Sequence, residues 1–325
     1  RNVYTWSSIF INNHLLRLRE GKDDDSVNGL KKRNKRIVLI RHGCTYMNEY
    51  LSKPGCKWGD ANFTDVFPTS TLDNSSDETN DISLYLDTPL SNRGIKQANE
   101  LSQRIQLGKD NDEPDVIKDI DLIIVSPLTR ALQTMELGLL PHIAADAKKV
   151  PIVALPLAAE RLYLISDVGK PTSELSERFP YVDFESEFSN NNNQDYHWWY
   201  TFDNDATVQN TEYVEWRPIN EGQTYACKGE PSRRFHRRMV SLYDWLDART
   251  ESTIALVTHW GVIQWLIGQD FQNCEMRIES FDDNGDDNAS FRRNGFMLSD
   301  EEEKEIFSEG ETLIANEMKE RRKAD

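Results

Sequence analysis

Cysteine and histidine are scarce in this chain, four and six among 325 residues. Cys44, Cys56, Cys227 and Cys274 show none of the paired spacings of zinc sites and are too few for a disulfide scaffold. The expectation is therefore a protein with no metal and no cofactor, suited to a reducing compartment. Long apolar runs are missing as well. A bilayer span needs roughly 20 such residues, no stretch approaches that, and a soluble protein is expected. Positive charge is in deficit: 38 Lys and Arg stand against 55 Asp and Glu, a formal net charge of −17, with a sequence pI near 4.9. An acidic body repels polyanions, which sets aside nucleic acid and anionic membrane as partners. The chain opens on Arg1, so the expectation is a trimmed piece whose targeting peptide is gone. Its location is expected to be cytoplasmic, or an organelle if such a peptide was removed.

What the chain does have is a set of short apolar runs that end on charged or imidazole side chains. Arg36-Ile37-Val38-Leu39-Ile40 leads into Arg41-His42-Gly43, and Leu122-Ile123-Ile124-Val125 leads into Ser126-Pro127-Leu128-Thr129-Arg130. Val150 to Leu155 is followed by Glu160-Arg161, and Thr253 to Val257 by Thr258-His259-Trp260-Gly261. Continuous apolar runs each followed by a helix have the pattern of buried parallel strands, and ligands in such sheets sit beyond the strands' carboxyl ends. The four exits would thus bring two Arg, two His and one Glu to one crevice. A phosphoryl group suits that set, because planar guanidinium forks grip its oxygens, an imidazole can attack it and a carboxyl can protonate the leaving oxygen.

In this order the segments resemble the histidine phosphatase superfamily, the phosphoglycerate mutase-like "RHG" proteins. Arg41-His42-Gly43-Cys44-Thr45-Tyr46-Met47-Asn48 is similar to the family's opening motif. Asp87-Thr88-Pro89-Leu90-Ser91-Asn92-Arg93-Gly94-Ile95-Lys96-Gln97-Ala98 is similar to its "PLT..G..QA" segment, Ser126 to Thr134 to "SPL.RA.QT", and Val257-Thr258-His259-Trp260-Gly261 to "VTHGG". The resemblance implies a three-layer α/β/α fold with a mostly parallel sheet, here carrying helical and loop insertions. It also implies a phosphohistidine on His42, with Glu160 as general acid and Asp167 as the second choice. Arg41, Arg130 and His259 would hold the phosphoryl oxygens, His259 counting among the catalytic residues as well. Thr45 and Asn48 would add polar contacts, although on residue type alone they could equally cap the following helix.

The function expected from this is a metal-independent phosphatase acting on a small phosphorylated metabolite. The alternatives are a phosphoglycerate mutase-type phosphomutase and a phospho-ligand-binding module without turnover. Glu160 to Lys170 departs from the "YG…G" pattern of true mutases, and the stretch from Glu174-Leu175 to Trp198-Trp199 looks more like a eukaryotic mutase-like group. Cys227-Lys228-Gly229-Glu230-Pro231-Ser232-Arg233 has the Cys-x5-Arg spacing of cysteine-dependent phosphatases, but it follows no apolar strand and Glu230 would repel the ligand. The oligomeric state is open.

Residues 1–35 have the pattern of an extension, with an amphipathic stretch from Thr5 to Arg19 and charged linker after it. Residues 36–275 form the expected catalytic domain, with insertions near 51–85 and 184–225. Residues 276–325 form an acidic, partly helical extension. Ser91 to Leu107 is expected to be a helix burying Ile95, Ala98, Leu101 and Ile105, with Gly108 as its stop. Glu230 to Arg249 is a second helix, burying Phe235, Met239, Leu242 and Leu246. Trp198-Trp199 is either an anchor of the second insertion or part of a lid, with anchoring favoured.

Overall fold

The computed structural model describes residues 35–54, 85–110, 116–143, 150–162, 165–188, 198–199, 230, 232–281, 290–293 and 295. The amphipathic stretch before residue 35, most of both insertions, Cys227 and the acidic C-terminal tract lie outside the described residues. The elements run β1 Lys35–Arg41, α1 Tyr46–Leu51, α2 Asn92–Asp110, β2 Leu122–Val125, α3 Thr129–Thr134, α4 Leu140–Ile143, β3 Ile152–Ala154, α5 Thr172–Arg178, α6 Ser232–Ala248, β4 Thr253–Thr258, α7 Trp260–Ile267 and β5 Met276–Phe281. Among the described residues no helix is long and apolar enough to cross a membrane.

The strands form one sheet in the order β3-β2-β4-β1-β5. The first four are parallel, with Ile37 opposite Ile254 and Ile123 opposite Ala255, while β5 runs antiparallel along β1. Successive strand residues alternate between two cores. Val38, Ile40, Ile123, Val125, Ala255 and Val257 pack against α2 and α3. Ile37, Leu39, Leu122, Ile124, Ile254 and Leu256 pack against α6 and α7. Apolar side chains on both faces are what a sheet between two helical layers requires, and the fold is the expected three-layer α/β/α type. Because the four strands are parallel, their carboxyl ends open on one edge.

Three local departures from the sequence pattern have physical reasons. Ile95 faces outward, 39% exposed, and Gly94 takes its place, because a Cβ there would stand 1.9 Å from the Cys44 carbonyl oxygen. The inward stripe is thus Gly94, Ala98, Leu101 and Ile105. Helix α2 also passes through Gly108 to Asp110. Finally, Met276–Phe281, placed by pattern in the C-terminal extension, is the edge strand β5. Its half-exposed polar face, with Arg277 and Glu279, breaks the apolar run that marks the buried strands.

Between α3 and α4 the helix widens into a π-turn over Met135–Leu139. Pro141 lies just beyond, where its missing N–H and its ring disfavour a regular turn. Trp198 is packed rather than poised as a lid. It is buried beside Phe188, ring centroids 6.1 Å apart, and its indole N–H donates to the Lys170 carbonyl at 2.7 Å.

Candidate active site

Strands β1, β4 and β2 deliver the basic half of the site to the open edge. Arg41 ends β1, and His42 extends the ladder by donating its backbone N–H to the Thr258 carbonyl at 3.0 Å, which sets it beside His259 at the exit of β4. The two imidazoles lie with centroids 5.0 Å apart. His42 Nδ1 sits 2.7 Å from the Gly43 carbonyl oxygen. A carbonyl can only accept, so Nδ1 carries the proton and Nε2 holds the free lone pair. Burial, then the Arg130 and Arg41 charges, push the His42 pKa well below the usual histidine range.

Arg130, in the first turn of α3, donates through every nitrogen. Nε reaches His259 Nδ1 at 3.3 Å, Nη1 the Ser166 carbonyl at 2.5 Å and Nη2 Asp167 Oδ1 at 2.8 Å. As guanidinium cannot accept, His259 Nδ1 is unprotonated and Nε2–H donates to Ser126 Oγ at 2.6 Å. Burial, followed by Arg130, also holds His259 well below its ordinary pKa. Arg41 donates Nη1 to the Phe271 carbonyl, whereas its buried Nε meets no acceptor among the described residues. A buried unsatisfied donor costs about 1–3 kcal/mol, which an incoming anionic oxygen would recover.

The acidic half lies at the exit of β3, after a 3₁₀ turn over Pro156–Ala158. Glu160 Oε1 accepts the Arg161 backbone N–H at 2.9 Å, and Oε2 the Gly261 N–H at 3.3 Å. Burial, then repulsion from Asp167, raise the Glu160 pKa, with Arg130 opposing. Asp167, the second-choice acid, is paired with Arg130 in a bridge whose side chains are each 4% exposed.

Thr45 and Asn48 form a capping box at the start of α1. Asn48 N–H donates to Thr45 Oγ1 at 3.0 Å, and Thr45 N–H to Asn48 Oδ1 at 3.1 Å. With Oδ1 committed to the box, the amide nitrogen is the end of Asn48 that can meet a ligand oxygen.

Several side chains that hold the site had no role in the sequence reading. Thr134 Oγ1 accepts the Gly43 N–H at 3.0 Å and donates to the Arg130 carbonyl at 2.7 Å, tying α3 to the loop after β1. Gln97 accepts from Cys44 N and Gln133 from Leu90 N, each at 2.8 Å. Asp87, at φ 43°, accepts both the backbone and hydroxyl hydrogens of Thr129, at 2.8 and 2.5 Å. Burial pushes its pKa up to about 6. Ser126, Asp87, Gln97 and Gln133 all stood inside recognised motifs, which was the available signal. Among the described residues no cluster of three or more His, Cys, Asp and Glu is arranged to hold a metal ion.

A probable phosphatase of Schizosaccharomyces pombe is 35% identical to this chain over 98 residues, 30% of this chain. The match spans 41% of that relative's length. Among solved structures, an alpha-ribazole phosphatase from Shigella flexneri aligns at 17% identity and TM-score 0.40, covering 81% of this chain and all of its own. A phosphoglycerate mutase from Thermus thermophilus aligns at 16% identity and TM-score 0.34, covering 81% and 99%. Those two likenesses say nothing of substrate. A model of the histidine phosphatase superfamily (branch 1) matches residues 75–296, beginning after Arg41-His42-Gly43 and taking in β2, β3, β4 and the residues at their exits. Spanning more than half of the chain, that match makes this protein a member of the histidine phosphatase superfamily.

Proposed function

We propose that the protein is a phosphoric monoester hydrolase that acts on a small phosphorylated metabolite through a phosphohistidine on His42. The observation that carries this reading is the Nδ1–H to Gly43 carbonyl bond. It leaves Nε2 as the lone-pair nitrogen of an imidazole kept neutral by burial and two neighbouring cations. In the first step Nε2 bonds to phosphorus and the ester P–O bond breaks. Arg41 Nε and the Arg130 fork offset charge spreading over the equatorial oxygens. His259 joins them when the bound dianion favours its cation: Nδ1 takes a proton from solvent water, gives up the Arg130 Nε–H bond and donates a hydrogen bond to a phosphoryl oxygen. Asn48 adds its amide N–H, with Thr45 holding it in place.

Glu160 then gives its proton to the departing alkoxide. A carboxyl raised by burial is suited to hold that proton until it is needed. In the second step Glu160 takes a proton from water, the oxygen of that water bonds to phosphorus and the P–N bond breaks. Inorganic phosphate and neutral His42 remain.

Rapid quenching with a labelled aryl phosphate tests the reading. The expected result is an acid-labile, base-stable phosphoenzyme that is absent from His42→Ala and present in Cys227→Ser. Label on Cys227, or turnover without a trapped intermediate, would overturn it. Turnover in the presence of an alcohol acceptor separates hydrolase from phosphomutase: a hydrolase releases inorganic phosphate from nearly every cycle.

A further inference from the structure

Arg238, on α6, makes five hydrogen bonds, as many as a guanidinium has N–H groups. Nε and Nη2 form a fork on Glu230, at 3.0 and 2.6 Å. Nη1 donates to the Leu157 carbonyl at 3.0 Å and the Ala159 carbonyl at 2.7 Å, and Nη2 also donates to the Glu160 carbonyl at 3.2 Å. The remaining carbonyl of that run, Ala158, accepts from Thr258 Oγ1 at 2.7 Å. Four consecutive carbonyls of the loop bearing Glu160 are therefore held by two side chains, and one of them immediately precedes His259. The Arg238–Glu230 pair is more than nine-tenths buried. Glu230 is itself anchored, since its N–H donates to the Leu162 carbonyl at 2.6 Å and its carbonyl accepts from Arg161 Nε at 2.9 Å.

We infer that Arg238, oriented by Glu230, is the positioning residue that fixes the Glu160 carboxyl at the leaving-group side of the site. A buried cation aimed at three carbonyls of one loop and at no strand matches a role in placing that loop. A carboxyl on a loose loop would still titrate but would meet the leaving oxygen less often, and a shift of about 1 Å can cost on the order of a hundredfold in rate. The Arg238 charge also contributes to holding His259 neutral, so the same residue bears on both halves of the site.

The inference rests on Glu160 being the general acid, and the test keeps the two apart. Arg238→Lys retains the buried charge opposite Glu230, but an ammonium has three donors at one point instead of five in a fork. It should lower kcat/KM, which reports the steps up to departure of the leaving group, by about tenfold or more on an alkyl phosphate and far less on an activated aryl phosphate. Combined with Glu160→Gln it should add little further loss on the alkyl substrate. Glu230→Gln, which keeps the shape and weakens the fork, should give a smaller loss of the same pattern. Equal losses on both substrates, full additivity with Glu160→Gln, or no loss at all would overturn the inference while leaving Glu160 as the acid. If Glu160→Gln itself shows no dependence on the leaving group, the assignment of the acid fails and the role of Arg238 falls with it.

Discussion

At the exits of β2 and β4 the site is made of side chains that hold one another, Arg130 on His259 and Asp167 and His259 on Ser126, while at the exit of β1 His42 and Arg41 are held by the carbonyls of Gly43 and Phe271. At the exit of β3 the Glu160 carboxyl is held by two backbone N–H groups, and its carbonyl by a helix from the opposite layer. The two halves also push protons in opposite directions. Burial combined with neighbouring cations pushes the pKa values of His42 and His259 down, whereas burial beside Asp167 pushes that of Glu160 up. Desolvation disfavours the charged form in both places, which lowers the pKa of a base and raises that of an acid. The same burial thus favours a nucleophile in one half and a proton donor in the other.

If the halves are separable, damage to the basic half should not depend on the leaving group. Arg130→Lys removes a fork that touches His259, Ser166 and Asp167, and kcat/KM should fall by about 10²–10³ on aryl and alkyl phosphates alike. A loss confined to alkyl phosphates would move Arg130 to the acid's side of the comparison. The reverse pattern is expected of Glu160→Gln, with a fall on the order of a hundredfold on alkyl phosphates and much less on aryl.

The pH profile sharpens that contrast. His42 must be neutral to attack, and its pKa is depressed, so activity should persist as pH falls through the ordinary histidine range. Glu160 must be protonated to act, and its pKa is raised, so alkyl phosphate cleavage should decline as pH rises through that elevated value. The aryl substrate and the Glu160→Gln variant should both lack this alkaline decline. A decline shared by all three would assign it to another group.

A smaller effect is expected from Gly261→Ala. The added methyl would stand 2.5 Å from Glu160 Oε1, so the carboxyl must move while the basic half is untouched. The kcat/KM on alkyl phosphates should drop about tenfold with that on aryl phosphates largely kept. Matching losses on both would mean that the strain spreads through α7 to His259. The smallest effect is expected at the capping box. Thr45→Ala should cost about 1 kcal/mol of stability in denaturant unfolding, and Thr45→Ser should restore it. A rate loss that Ser does not restore would show that Thr45 does more than cap α1.

The sequence by itself was sufficient for the parallel strands and the residues at their exits. A strand buried on both faces must be apolar throughout, and Arg41, His42, Arg130, Glu160 and His259 stand within a few positions of where such runs stop. It was sufficient too for the stripe Phe235, Met239, Leu242 and Leu246 of α6, all buried. Tertiary structure alone decided which nitrogen of His259 carries the proton, because the atom opposite Nδ1 belongs to the guanidinium of Arg130, 129 residues away in the chain. It decided that Gly94 and not Ile95 faces the core, through the approach of the Cys44 carbonyl. It decided the edge strand β5, whose alternating polar face resembles a surface loop until it pairs with β1. And it decided Arg238: in sequence one arginine among several on a basic helix, in the fold a guanidinium seventy-eight residues away from the carbonyl that it grips.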